Sequence, residues 1–163
     1  KKRGMKPLAI LSGYANANDA YHPTATSPEG NGPFLSMTSA LRKAGLESSM
    51  ISYINVHGTG TENNDETEAT ALVRVFGGEV PPFSSTKSYF GHTLGAAGGI
   101  EAVVSVLALR NQVIFPNLFF SEPMDGPQLI PVKEVLTNTP VNHVLSNSFG
   151  FGGNNTSLVF SGC

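Results

Sequence analysis

The apolar segment at residues 94–109 constrains the fold more than any other part of the sequence. Its spacing predicts a helix, and because apolar side chains lie almost all round it, we expect that helix to be buried on every face. Gly95, Gly98 and Gly99 would each weaken an exposed helix by roughly 1 kcal/mol, but in a buried one they allow close backbone approach. The segment therefore predicts layers of structure above and below it.

Strand and helix patterns alternate along the rest of the chain, which is typical of an α/β fold. Helices are predicted at residues 34–44 and 65–76, and Asn64 is expected to cap the second. Residues 16–33 form a predicted loop, long enough to suggest a functional or mobile segment. Strands are predicted at residues 7–13, 51–56, 82–85, 142–148 and 156–160.

The composition argues against several classes of function. Charged residues make up 13% of the chain and the net charge is −2, so no electrostatic case exists for nucleic acid. We interpret the short basic cluster at residues 1–6 as a solvated end. The longest apolar run, residues 100–109, contains Glu101 and is too short to span a membrane. The only cysteine, Cys163, cannot form an intrachain disulfide, which fits a cytoplasmic protein.

A first candidate segment, residues 55–61 (NVHGTGT), follows a predicted buried strand. It places His57 at the carboxyl edge of the sheet, where open α/β sheets bind ligands. The glycines allow another molecule to approach the backbone, and the threonine hydroxyls can bind amides. The alternative is a tight turn whose histidine only satisfies a carbonyl, and the segment alone does not decide between the two.

A second candidate segment, residues 84–93, runs from a strand into the loop before the apolar helix. His92 there lies near a helix N-terminus, where the dipole disfavours a charged imidazole. A neutral imidazole can donate an N–H to a developing oxyanion. Glu101 is expected to be buried and bonded, since an unpaired buried carboxylate is costly. The alternatives are an exposed loop lysine at Lys87 and a purely architectural hydrogen bond at Glu101.

The third candidate segment is the glycine-rich stretch at residues 147–155. Glycines on both sides of Phe151 permit a turn that offers a backbone N–H to an oxyanion or swings the ring as a gate. The alternative is a hairpin turn with core phenylalanines. His22 and His143 are predicted to be non-catalytic, and no metal site is expected because the four histidines lack ligand spacing.

Together, these three segments resemble the C-terminal half of the β-ketoacyl synthases, the condensing enzymes of fatty-acid and polyketide synthesis. The likeness extends from Leu8 to Phe160, and is greatest to the elongating enzymes of type II systems. It implies that residues 1–163 form one domain of α/β class, one half of a thiolase-like fold with five layers (αβαβα). This half would contain a mixed sheet and the buried central helix.

The resemblance also implies roles for individual residues. His57 and His92 would be the catalytic histidines. Lys87, held by Glu68, would keep His92 neutral. The implied supporting acids are Asp65, Glu68 and Glu101. The implied substrate-binding and gating residues are Thr24, Thr59, Thr61, Phe149, Gly150, Phe151 and Gly152.

The implied reaction is the decarboxylative condensation of an acyl thioester with malonyl-acyl carrier protein. No bound cofactor is implied, because the phosphopantetheine is attached to the carrier protein. The family's nucleophilic cysteine lies in the N-terminal half, so this chain is expected to be inactive alone. The implied partners are the acyl carrier protein, that N-terminal half, and a second subunit in a homodimer or heterodimer.

Three alternatives stay open at this point. A thiolase has the same fold, but this half of it would carry an internal cysteine base, which the chain lacks. A non-catalytic partner similar to a chain-length factor would shape a pocket and dimerise, although such subunits can lose the histidines and lysine present here. The sequence does not separate a natural half-subunit from a piece of a longer protein.

Overall fold

A five-stranded mixed sheet lies at the centre of the chain in the computed structural model, which describes residues 3–163. Lys1 and Lys2 of the basic cluster lie outside the described residues. The strands are β1 (Ile10–Asn18), β2 (Tyr53–Asn55), β3 (Phe83–Ser84), β4 (Val113–Ile114), β5 (Leu136–Thr137), β6 (His143–Gly150) and β7 (Asn154–Ser161). The helices are α1 (Asn31–Ala44), α2 (Glu62–Phe76), α3 (Lys87–Phe90) and α4 (Ala97–Asn111).

The strand order of the main sheet is β1-β7-β6-β2-β3. Strand β2 pairs in parallel with β6 and with β3, whereas β7 is antiparallel to both of its neighbours. Strands β4 and β5 form a separate two-stranded sheet. Because β2, β3 and β6 are parallel, the loops that follow them emerge at one edge of the main sheet.

Helices cover both faces of this sheet, and alternate residues of β2 show how the core is divided. Ile54 lies in an apolar cluster with Met37 of α1 and Leu72 of α2. Tyr53, its neighbour, lies in a second cluster with Ala108 of α4. The alternation follows from the pleat, which turns successive side chains to opposite faces. The described chain is therefore a three-layer α/β domain, with α1 and α2 on one face and α4 on the other.

Helix α4 differs from the prediction that it is buried on every face. One side packs against the sheet, but Val103 is 60% exposed and Leu107 is 42% exposed on the opposite side. No other element of residues 3–163 covers that side. The all-round apolar pattern therefore predicted more burial than this chain alone provides. The buried residues of α4 are Ala97, Glu101, Val104, Ser105, Ala108 and Leu109.

The helical stretch Leu94–Asn111 has 18 residues and a mean hydropathy of 1.2, so by length and composition it could cross a membrane. The shorter apolar run at residues 100–109 predicted instead that no segment is long enough to span a membrane. Core helices of globular proteins have the same properties, and this stretch carries the buried carboxylate of Glu101 on its sheet-facing side. Packing against the sheet accounts for the apolar residues of one side, while Val103 and Leu107 on the other side are exposed.

Among the element boundaries that differ from the predictions, two are explained by particular side chains. Strand β1 continues to Asn18, through residues predicted to be loop, because it lies at the edge of the sheet where polar side chains are tolerated. The side chain of Asn16 donates to Thr156 Oγ1 on β7 at 2.8 Å. Helix α2 begins at Glu62 after Thr61, so Asn64 lies inside the first turn and does not cap it. Its amide instead donates to Asp65 at 2.9 Å.

Candidate active site

The three candidate segments meet at the carboxyl edge of the parallel strands. His57 lies two residues beyond β2, Lys87 begins α3 just after β3, and Phe149 lies near the end of β6. The ring centroids of His57 and His92 are 5.4 Å apart, with their planes nearly perpendicular at 85°. The ring of Phe149 lies 5.6 Å from that of His57. Residues from three separate strand ends therefore surround one imidazole.

His57 is buried and held in a single tautomer. Its Nδ1 lies 3.1 Å from the ammonium of Lys87, which can only donate, so Nδ1 accepts and the ring proton is on Nε2. Burial, and then electrostatic interactions with Lys87 and with the neighbouring His92, lower the pKa of His57 to about 3. The side chain is therefore a neutral imidazole that presents an Nε2–H donor.

His92 presents the same donor from a different environment. Its side chain is exposed, and its Nδ1 accepts the backbone N–H of Leu94 at 3.2 Å. That bond leaves the proton on Nε2. Within residues 3–163, the structure gives Nε2 of His92 no hydrogen-bond partner. The two histidines thus offer two N–H donors within one small volume.

The lysine is bound differently from the hypothesis that Glu68 holds it beside His92. Its Nζ forms an ion pair with Glu101 and also donates to the backbone carbonyl of His57. The other carboxylate oxygen of Glu101 accepts from Ser148 Oγ at 2.6 Å. Glu101 lies on the α4 side of the sheet, whereas Glu68 packs on the α1 and α2 side. Lys87 therefore pairs with Glu101 and not with Glu68, and that part of the hypothesis is wrong.

Glu68 instead supports the backbone of the turn after β2. Its carboxylate accepts the backbone N–H groups of His57 at 3.0 Å and Gly58 at 2.9 Å, and the side-chain amide of Asn147 at 3.0 Å. Burial raises the pKa of Glu68 to about 7, although these three hydrogen bonds lower it. Sequence reasoning missed Asn147 as a functional residue. The available signal was a side-chain amide in the middle of a predicted strand, residues 142–148.

A cavity of about 660 Å³ opens beside the turn. Thr59, Asp65, Lys87 and His92 line it, whereas Thr61 does not. The hydroxyls of Thr59 and Thr61 lie 2.9 Å apart, and Asp65 accepts the backbone N–H of Gly60 at 3.3 Å. These bonds brace the turn.

The remaining predicted binding residues lie outside that cavity. Thr24 is exposed, and its backbone N–H donates to His22 Nδ1 at 3.2 Å. Phe151 is 82% exposed, while Phe149 is buried against His57. The glycine-rich turn is tied to the long loop, since Gly152 donates its N–H to Pro23 O at 2.7 Å. Its gating role stays a prediction.

None of the described residues forms a metal-type cluster: across residues 3–163, no group of three His, Cys, Asp or Glu side chains could hold an ion. Nor does any buried side-chain nitrogen or oxygen in that range lack a hydrogen-bond partner. The polar groups of the site are therefore organised by one another.

A family model described as "Beta-ketoacyl synthase, C-terminal domain" matches residues 8–121. The chain belongs to the β-ketoacyl synthase family. It is 40% identical over 163 residues to 3-oxoacyl-[acyl-carrier-protein] synthase 2 of Vibrio harveyi, covering 98% of the chain and 39% of that protein. It is 41% identical over 170 residues to the mitochondrial 3-oxoacyl-[acyl-carrier-protein] synthase of Arabidopsis thaliana, covering 99% of the chain and 36% of that protein. This β-ketoacyl synthase chain therefore spans about two fifths of the length of such relatives.

Solved structures of ketosynthases share the fold. The AntDE ketosynthase in complex with its acyl carrier protein AntF superposes with a TM-score of 0.93 at 32% identity, covering 99% of this chain and 40% of that one. The ketosynthase ApeO of Xenorhabdus doucetiae, in complex with its chain length factor ApeC, gives 0.88 at 40% identity, covering 98% and 40%. These likenesses confirm the predicted α/β class and the resemblance to thiolase-like ketosynthases.

Proposed function

We propose that this chain forms the decarboxylation site of a β-ketoacyl-acyl carrier protein synthase, with His57 and His92 as catalytic residues. The observation that carries the proposal is the pair of imidazoles, 5.4 Å apart, each with Nδ1 occupied as an acceptor. Both rings then have an Nε2–H free for a substrate oxygen. Two such donors suit the oxygen of a thioester that becomes negatively charged.

The chemistry follows from where that charge develops. When malonyl thioester loses carbon dioxide, the electron pair of the broken carbon–carbon bond moves into the thioester, which becomes an enolate. The enolate carbon then attacks an acyl-cysteine, and the cysteine leaves as a thiolate. Donors aimed at the enolate oxygen lower the barrier of the first step, and removing one such donor typically costs about 10²–10³ in kcat.

Lys87 and Glu101 support this role by keeping His57 neutral. The buried ammonium next to Nδ1 makes a second positive charge on the ring unfavourable, so His57 remains a donor through Nε2 only. Glu101 in turn neutralises Lys87. Thr59, which lines the cavity, would contact the pantetheine arm, as would Thr61 and Thr24. The turn Phe149–Gly152 would gate the entry of that arm.

The acyl carrier protein, an N-terminal half and a second subunit would complete the enzyme. The acyl carrier protein delivers the substrate on its own phosphopantetheine, so the chain would need no bound cofactor. A nucleophilic cysteine would come from an N-terminal half that covers the exposed side of α4 and completes the five layers. The assembly would be a homodimer or heterodimer in the cytoplasm. Complexes of this kind are known for the neighbours: AntDE with its carrier protein, and ApeO with a chain length factor.

The test is carbon dioxide release from malonyl-acyl carrier protein by the chain assembled with its cysteine-bearing half. His57→Ala and His92→Ala should each reduce the rate by about 10²–10³. His92 is exposed, so its variant tests the role even if the buried change prevents folding. His143→Ala, at the opposite end of β6, is the matched control and should keep the rate. Normal decarboxylation by a folded His57→Ala enzyme would exclude the proposed role.

A second candidate is a non-catalytic partner similar to a chain-length factor. The observation that favours it is that solved neighbours include ketosynthases paired with chain length factors, among them the ishigamide complex at a TM-score of 0.92. In a heterodimer, both histidine variants of this chain would then leave the rate unchanged, while the same changes in the partner would abolish it. The same assay therefore separates the two functions.

A further inference from the structure

A line of buried polar side chains connects β7 to the turn that carries His57. Ser157 Oγ donates to Asn147 Oδ1 at 2.8 Å, and Asn147 Nδ2 donates to Glu68 Oε1 at 3.0 Å. Ser157 and Asn147 are completely buried, and Glu68 is 3% exposed. The same carboxylate accepts the backbone N–H of His57 at 3.0 Å. The line therefore ends on the backbone of a proposed catalytic residue.

The carboxylate of Glu68 and the hydroxyl of Ser157 bind opposite ends of the Asn147 amide. An amide has one accepting and one donating end, and the serine proton satisfies the accepting end. If the amide were reversed, its oxygen would face the carboxylate of Glu68, and two acceptors would be buried against each other. Ser36 Oγ lies 2.9 Å from both Ser157 Oγ and Pro33 O. When Ser157 donates to Asn147, the single proton of Ser36 is available to either of those two acceptors.

We propose that Ser157 and Asn147 are positioning residues that orient Glu68, and through it the backbone of the His57 turn, for the reaction. This inference rests on the proposed function, since it assigns the network its purpose. Neither residue touches the cavity beside the turn. They act by directing the Asn147 N–H to the carboxylate as a third donor, which favours its ionised form and orients it toward two successive backbone N–H groups.

Because few groups around Glu68 favour its ionised form, losing one hydrogen-bond donor should shift its ionisation. Asp65, on the same helix, raises the pKa of Glu68, and burial has already brought that pKa to about 7. From the turn after β2, His57 is neutral because its pKa is about 3. From α1, Met37 contributes only an uncharged sulfur near Asn147. The amide proton of Asn147 is therefore one of few groups that favour the ionised form.

The first measurement is the stability of the chain as a function of pH. Ser157→Ala should lose more stability above pH 7 than at low pH, because Glu68 is ionised only above its pKa of about 7. Ser157→Thr keeps the hydroxyl and should restore the pH dependence of the original chain. Ser105→Ala is the control, since Ser105 is equally buried but donates to a backbone carbonyl. Its loss of stability should not change with pH.

The second measurement is decarboxylation by the chain assembled with its cysteine-bearing half. Ser157→Ala should lower kcat about tenfold at pH 7 with KM little changed, and should move the acidic limb of the pH profile upward by about one unit. Ser157→Thr should recover both. Equal losses in Ser157→Ala and Ser105→Ala, with unshifted profiles, would mean a structural role only and would overturn the inference. The stability arm tests the network even if the original assembly shows no decarboxylation, which would instead refute the proposed function.

Discussion

The ion pair between Lys87 and Glu101 gives the sharpest prediction about stability. Both groups are buried, with side-chain exposures of 8% and 2%. Glu101→Gln removes the negative charge and keeps the shape, so the ammonium of Lys87 is left in the interior without a counter-charge. Breaking a buried pair in this way typically costs about 3–5 kcal/mol. Because small domains have only about 5–15 kcal/mol of stability, this change should be large.

The assay is urea unfolding of the chain followed by circular dichroism. Glu101→Gln and Lys87→Met should each lower the free energy of unfolding by about 3–5 kcal/mol. The double variant should be more stable than the sum of the two losses predicts, since it buries no unpaired charge. The slope of the unfolding curve should stay constant, which shows that the two states are unchanged. Glu79→Gln, at an exposed position, is the control and should change the stability by less than about 0.5 kcal/mol.

Two results would refute this reasoning. One is a loss below about 1 kcal/mol for Glu101→Gln, which is the range of an exposed pair. The other is strict additivity in the double variant, which would mean that the two charges do not interact in the folded chain. Either result would also remove the support that this pair gives to a neutral His57.

Two further predictions concern the histidine and the glycine-rich turn. The pKa of His57 is lowered from 6.5 to about 3, so the unfolded chain binds a proton there first and stability falls as the pH drops through that window. His57→Gln should therefore be less acid-sensitive in unfolding experiments; equal sensitivity would contradict the assigned pKa. Gly153→Ala should lose about 1–3 kcal/mol, because φ is +73° and a Cβ would lie 2.3 Å from Asp19 Oδ1. Gly162→Ala, which has nothing within 4 Å, should be neutral, and a neutral Gly153→Ala would show that the turn can move away.

Local patterns predicted the parts of the fold that depend on neighbouring residues. The three candidate segments were placed correctly at strand ends, because an apolar strand followed by glycines and polar residues marks a sheet edge. The end of β1 was missed because Asn16 and Asn18 favour loops locally, and only their pairing with β7 makes them part of a strand. That pairing joins residues far apart in the sequence, so no local pattern could indicate it.

The ion-pair partner of Lys87 could be predicted only from the topology of the sheet. Both Glu68 and Glu101 are acids within a helix that follows a candidate segment, so the sequence offers no reason to prefer either. The choice depends on which face of the sheet each helix covers. Handedness rules constrain that for a simple crossover, but the sheet order found here places β6 and β7 between β1 and β2. When strands from the end of the chain lie between strands from its beginning, the spacing of residues in the sequence does not indicate the strand order of the sheet.

The two acids divide the support of His57 between its side chain and its backbone. Glu101 acts from the α4 face and neutralises the lysine that occupies the imidazole Nδ1. Glu68 acts from the other face and holds the N–H groups of the turn. The two carboxylates therefore reach His57 through different partners, Glu68 directly at the backbone N–H and Glu101 through Lys87. A buried histidine with a fixed tautomer and a fixed backbone can then present Nε2–H in one direction, which is what stabilising a single oxygen requires.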